Sequence, residues 1–279
     1  GLARIEAVLP RRTAFVRKAA GAAVREQVVA ANVDVALVVV ALTEPVNERR
    51  LERYVASAYE SGALPVVLLA KADLVDHGAL AAAVAAAEGV APGVDVVVVS
   101  AQAGTGLDDL AARLPPGRTA VLLGPSGVGK STLVNRLLGE DRLRTAGLAG
   151  DGRGRHTTTH RELFRTPGGA LLIDPPGMRE LGLWDASDGV DAAFADIEAL
   201  APSCRFRDCA HETEPGCGVL GAVADGRLDH ARLESWRRLR RELDFLERKA
   251  DDLAAAQERA RVRAIHRAVR RDRGFWARE

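Results

Sequence analysis

An α/β fold on a doubly wound, mostly parallel sheet is what this sequence predicts. A short β segment precedes the sheet, and a metal-binding, mainly helical segment follows it. Three observations carry that expectation. Five apolar runs, DVALVVVAL (34–42), LPVVLLAKADL (64–74), VDVVVVSAQ (94–102), TAVLLGPSG (119–127) and ALLIDPPG (170–177), are continuous rather than alternating. That is the pattern of strands buried on both faces of a parallel sheet. Helix-like segments such as NERRLERYVASAYESG and ALAAAVAAAEG lie between the runs, giving the strand–helix alternation of α/β proteins. Finally, GPSGVGKST sits between a strand-like TAVLLG and a helix-like TLVNRLLG, the context that a phosphate-binding loop requires.

From the N-terminus, residues 1–30 hold short alternating pieces around a basic turn and read as the last strands of a small β-domain. The first residue is Gly rather than Met, which reads as a piece of a longer chain. No apolar run is long enough to span a membrane and no start resembles a signal peptide, so a cytoplasmic protein without a membrane partner is expected. Nothing demands more than a monomer. Charge is uneven. Residues 1–26 carry six Lys/Arg against Glu6 and Glu26, and residues 259–279 carry eight Arg against Asp272 and Glu279. The whole chain is only +1, so the middle is acidic and the two ends are basic. Such ends suit a polyanion.

Residues 31–185 read as a nucleotide-binding domain. The run at 64–74 ends in Ala70, Lys71, Ala72 and Asp73, which approximates the guanine-reading pattern N-K-x-D. An Asp carboxylate there accepts from guanine N1 and N2, and the Lys stem lies along the ring. The next strand ends in Ser100 and Ala101, which suit a companion loop offering a backbone N–H to the guanine O6. The phosphate loop then follows as Gly124, Pro125, Ser126, Gly127, Val128, Gly129, Lys130, Ser131 and Thr132. Its backbone N–H groups and the following helix N-terminus cradle phosphates, Lys130 reaches the β- and γ-phosphates, and Ser131 ligates Mg²⁺.

Two switch-type segments come last. GRGRHTTTHREL contains Thr157, Thr158 and Thr159; Thr158 is the candidate to complete the Mg²⁺ shell. LLIDPPG supplies the D-x-x-G pair, with Asp174 holding Mg²⁺ through water and the Gly177 N–H sensing the γ-phosphate. The residue after Gly177 is Met178, which cannot orient an attacking water as Gln does in many GTPases. His156 is the local candidate for that role. The order is base, base, phosphate, switch, switch: a cyclic shift of the usual nucleotide-binding order. A shift of this kind leaves a sheet intact when the old termini lie close together.

Residues 186–279 read as a zinc-binding helical domain. Cys204, Cys209, His211 and Cys217, spaced C-x₄-C-x-H-x₅-C, form a closed tetrahedral set suited to one structural Zn²⁺. These are the chain's only Cys, so a metal in a reducing cytosol is the expectation rather than disulfides. From about Asp225 onward, Leu233, Trp236, Leu239, Leu243 and Leu246 recur at helical spacing, a packing stripe.

With AKAD, SAQ, GPSGVGKSTLVN, RHTTTHREL, IDPPGMRELGLW and CRFRDCAHETEPGCGV on the page, the chain resembles the ribosome small subunit-dependent GTPase A family over nearly its whole length. The resemblance implies an N-terminal OB-fold of which residues 1–30 are the remnant, a circularly permuted GTPase domain, and a zinc domain contacting ribosomal RNA. It implies GTP hydrolysis to GDP and phosphate, stimulated by the small ribosomal subunit, and it also points to His156 as the catalytic residue, beside Lys130 and Thr158. The chain departs from the family pattern at Ala70, where Asn is usual, and at Pro175, where Thr or Ser is usual. Two rivals stand against this. Asp73 with Ser100 and Ala101 argues against a P-loop ATPase or small-molecule kinase. Lys130, Ser131 and Asp174 argue against a non-hydrolysing RNA-binding module.

Overall fold

The computed structural model describes residues 5–18, 26–143, 162–174, 187–245 and 248. The chain opens on an antiparallel hairpin, β1 (Ala14–Lys18) against β2 (Glu26–Ala31), bulged between Phe15 and Val16. There follow β3 (Val35–Ala41), α1 (Glu48–Glu60), β4 (Leu64–Ala70), α2 (His77–Val90), β5 (Asp95–Val99), α3 (Leu107–Ala112), β6 (Thr119–Leu123) and α4 (Lys130–Leu138). Next come β7 (Glu162–Arg165) and β8 (Leu171–Asp174), then α5 (Ser187–Ala193), α6 (Ala195–Glu198) and α7 (Gly218–Ala224). Residues 230–245, hereafter α8, form a further helix.

Strands β3 to β8 make one sheet in the order β5-β4-β3-β6-β8-β7, all neighbours parallel except β7 with β8. The five continuous runs are its five parallel strands. Their alternate residues enter two different cores, as continuous apolar strands must. Ala36, Val38, Val67, Leu69, Val121 and Leu123 face one side. Val35, Leu37, Leu68, Val97, Ala120 and Leu122 face the other, where they meet Leu133, Val134 and Leu138 of α4. The chain moves outward from β3 to β5, then returns past β3 to β6. The strand order therefore reverses between β3 and β6, and a crevice opens there at the carboxyl ends of the strands.

Local signals set the helix starts. The Asn47 side chain accepts from the Arg50 N–H at 3.0 Å and caps α1; Asp76 accepts from the Ala79 N–H at 2.8 Å and caps α2. Two elements differ from the sequence reading. The run at 64–74 ends as a strand at Ala70, after which Ala72–Leu74 form a 3₁₀ turn. Strand β7 begins within RHTTTHREL, where a loop was expected. It is four residues at a sheet edge, and of them only Phe164 is buried, so it offers almost no apolar pattern to read.

The C-terminal segment does not stand apart from the sheet. Phe194 and Ile197, with Leu233, Trp236, Leu239 and Leu243 of α8, lie in one core with Leu51 and Val55 of α1 and with Phe15 and Val29 of the hairpin. The expected stripe on α8 is thus packing; Leu246 lies outside the described residues. One residue joins the pieces. Arg232 donates to the carbonyls of Val90 and Ala193 at 2.6 Å each, pairs with Asp196 at 3.0 Å, and stacks 4.0 Å over the Phe194 ring. Val90 and Ala193 are the last residues of α2 and α5. One guanidinium thereby satisfies carbonyls at two helix C-termini, where the helix dipoles favour a cation.

Candidate functional site

Strands β4 and β6 flank β3 and β5 pairs with β4, all of them parallel, so Ala70, Val99 and Leu123 all end at the same edge of the sheet. This places the loops after them side by side, although they lie up to 56 residues apart in the chain. The phosphate loop leaves β6 at Gly124, whose φ is +143° and whose missing Cβ would lie 2.6 Å from the Val39 carbonyl oxygen. Only glycine fits this turn. Helix α4 begins at Lys130, whose Nζ lies 2.8 and 2.7 Å from the carbonyls of Gly124 and Pro125. The ammonium thus sits within the loop that would wrap a polyphosphate.

The loop after β4 crosses to meet it. Lys71 adopts a left-handed backbone, φ 62°, rare for a residue with a side chain. The conformation carries its Nζ to 2.9 Å from the Gly127 carbonyl. Its stem passes close to Gly129. Asp73 accepts a short hydrogen bond from the Ser100 hydroxyl, so the two base-loop candidates are joined. Ser100 is buried, and its Oγ also accepts from the Ala103 N–H at 2.9 Å. The loop closes on itself through Ser100 N–H to Thr105 O and Gly104 N–H to Ser100 O.

On the other side of the phosphate loop, Asp174 ends β8, buried and 5% exposed. Burial raises its carboxyl above the usual carboxylate range; Lys130 offsets part of this and Glu162 adds to it. A buried carboxylate beside the loop is suited to a hard cation, and Ser131 at the start of α4 can offer it a hydroxyl. A cleft of about 560 Å³ runs along the outer side of the loop between Ser126, Gly127, Thr43, Asn47 and Arg50. His156, Thr157, Thr158, Thr159, Pro175, Gly177 and Met178 lie outside the described residues, as does the basic stretch 259–279. Asn135 was not singled out in the sequence. It is buried in α4 and holds both the N–H and the carbonyl of Leu143 at 2.8 Å, fixing the chain just before that region.

The four predicted metal ligands do come together. Their ligand atoms lie within 4.8 Å of one another. Cys204 and Cys217 sulfurs are 3.8 Å apart, and His211 Nδ1 is 3.5 and 3.4 Å from them. A tetrahedral zinc with Zn–S of about 2.3 Å and Zn–N of about 2.0–2.1 Å needs edges of about 3.8 and 3.6 Å. Cys204, His211 and Cys217 already have those edges, and with Cys209 within 4.8 Å of them the set could hold one zinc. Burial lowers the His211 pKa and Arg237 adds to this, against Glu198 and Glu214, a direction that favours the neutral imidazole a metal needs. Burial raises the Cys204 thiol, but the N–H groups of Val219 and Gly218 and the thiols of Cys217 and Cys209 outweigh it and the net shift is downward. Burial pushes Cys209 up to about 11, with Cys217 and Cys204 adding to that.

Residues that the spacing could not reveal support the cluster. His211 has φ 58°, and its carbonyl is held by Arg237 of α8. The Trp236 ring lies 5.3 Å from the imidazole. Glu214 accepts from the N–H groups of Ala210, Glu212 and Thr213 at 2.8, 2.8 and 3.0 Å, and its carboxyl falls to about 2 because backbone donors surround it. An acidic residue between two ligands was the one available signal.

Comparison with known proteins agrees with this fold. The family profile described as RsgA GTPase matches residues 8–184. The chain is 53% identical over 257 residues to the small ribosomal subunit biogenesis GTPase RsgA of Streptomyces coelicolor, covering 91% of this chain and 70% of that one. It is 49% identical over 277 residues to the protein of the same name from Opitutus terrae, covering 98% and 75%. Among solved structures, YjeQ from Thermotoga maritima superposes with a TM-score of 0.64 at 27% identity, over 85% of this chain and 77% of that one. YloQ, described as a circularly permuted GTPase, superposes with a TM-score of 0.58 at 27% identity, over 77% and 69%.

Proposed function

Because the chain belongs to the RsgA GTPase family, we propose that its strand-end cleft reads guanine with Lys71, Asp73, Ser100 and Ala101 and cleaves GTP held on residues 124–132. It is a GTP-hydrolysing enzyme, a GTPase acting in small ribosomal subunit maturation. The observation that carries the site assignment is the convergence of the three loops: Lys71 on the Gly127 carbonyl, and Ser100 on Asp73. Adenine offers Asp73 no matching pair of donors, so the same contacts favour GTP over ATP.

In this reading Lys130 leaves the Gly124 and Pro125 carbonyls for the β- and γ-phosphates. Ser131, Thr158 and, through water, Asp174 would hold Mg²⁺, which neutralises charge developing on the phosphate oxygens. Asp174 suits this because it is buried, with Lys130 offsetting part of its charge. The Gly177 N–H senses the γ-phosphate. His156, on the switch segment, orients the attacking water in place of the missing Gln. Hydrolysis is slow until contact with the subunit completes the site.

Cys204, Cys209, His211 and Cys217 hold one structural zinc. The zinc segment and the two basic ends bind ribosomal RNA in the cytoplasm, with affinity that falls as salt rises. The protein acts as a monomer, with residues 1–30 closing an OB-type β-domain. Turnover of GTP and ATP, with and without purified small subunits, tests the reading. Strong stimulation of GTP turnover alone is expected, and Lys130→Ala should abolish it. Equal turnover of ATP, or GTP turnover indifferent to subunits, would sink it.

A further inference from the structure

Among the described residues, the contacts around the nucleotide cleft form a ring. Lys71 donates to Gly127 and so ties the loop after β4 to the phosphate loop. Ser100 donates to Asp73 and so ties the loop after β5 to the loop after β4. A third tie closes the circuit. Arg136, two turns along α4 from Lys130, reaches back across the sheet edge. Its Nε donates to the Ala101 carbonyl at 2.7 Å, and its Nη2 lies 3.4 Å from the Gln102 carbonyl. Ala70 brings only a methyl group to the end of β4, so no side chain at that position can tie the strand end to the phosphate loop.

We infer that Arg136 is a positioning residue for guanine, holding Ala101 through its carbonyl so that its N–H faces the purine O6. The inference rests on the guanine reading above and deepens it. Among the described residues the Ala101 N–H donates to no protein acceptor, whereas its carbonyl is pinned by the guanidinium. Holding the Ala101 carbonyl and the next carbonyl, Gln102, together restrains the direction of the Ala101 N–H, because only the φ and ψ of Ala101 lie between its carbonyl and its N–H. The bond is charge-assisted, short and runs from a helix, and helices are stiffer supports than loops. Arg136 is itself exposed, so it contributes little to the core and its replacement leaves the fold intact.

The test uses three diphosphates that differ at one edge of the ring. GDP and IDP both carry the O6 acceptor; ADP carries an amino group there. On the full chain, Arg136→Ala should weaken GDP and IDP in parallel by about tenfold, the scale of one charge-assisted hydrogen bond. ADP binding, which depends on the phosphate loop alone, should not change. Arg136→Lys should recover part of the loss, since an ammonium can reach one carbonyl, and Arg136→Gln should recover less. The thermal midpoint of the nucleotide-free protein should stay at the wild-type value in all three variants. Equal weakening of GDP, IDP and ADP would overturn the inference, because Arg136 would then be supporting the phosphate loop. Unchanged GDP binding would overturn it too. A wild-type chain that binds GDP and ADP equally would overturn the guanine reading first and this inference with it.

Discussion

Replacing Arg232 with Ala is the sharpest perturbation of the link between the GTPase sheet and the zinc segment. The side chain is 7% exposed and its guanidinium serves four partners. Removal strands the Val90 and Ala193 carbonyls at the ends of α2 and α5, each costing about 1–3 kcal/mol when buried without a donor. Stacking on Phe194 adds about 1 kcal/mol. The Asp196 carboxylate is 34% exposed, so solvent takes over much of that pairing and it adds only about 0.5 kcal/mol. One group makes all these contacts, so the terms overlap; a total of about 3–5 kcal/mol is expected. That is a large share of the roughly 5–15 kcal/mol that holds a typical domain folded. Urea unfolding followed by circular dichroism and by Trp fluorescence measures it. Arg232→Lys, which keeps the charge but bonds fewer carbonyls, should lose about half as much. A loss below about 1 kcal/mol for Arg232→Ala would refute the double-cap reasoning.

Four other outcomes are expected. Asp73→Asn should turn preference from GTP toward XTP by on the order of 100-fold, because an amide donates to the xanthine 2-carbonyl where the carboxylate accepted from the guanine amine; competition binding measures this. Metal analysis should return one zinc per chain, and chelation should lower the thermal midpoint while loosening α8, which touches the cluster through Trp236 and Arg237. Gly106→Ala should cost more than about 1 kcal/mol and weaken GDP, since φ is +73° and a Cβ there collides with the Val98 carbonyl, as thermal melting and titration would record. Glu52 is buried on α1, and burial raises its pKa above 4.5 despite a hydrogen bond with Ser235. The folded state therefore binds its proton more tightly than the unfolded one, and this residue's contribution falls as pH rises from about 4.5 through the folded value. Glu52→Gln should flatten that slope and be neutral or stabilising at pH 7, by unfolding at a series of pH values.

Much of this protein is written locally. The parallel strands announce themselves because both faces are buried, which forces continuous Val and Leu. The phosphate loop, the base-loop tails and the Cys/His set are legible because each is a short motif whose chemistry depends on spacing along the chain. Strand β7 escaped because a half-exposed edge imposes no such pattern. What only the tertiary structure decided are the contacts between distant pieces. Arg232 meets Val90 across 142 positions, Arg136 meets Ala101 across 35, and the hairpin, α1 and α8 share one core. An arginine on an amphipathic helix looks the same in sequence whether it faces water or caps two helices. Its role is set by which carbonyls the fold leaves unpaired within its reach, and those are known only once the chain has closed on itself.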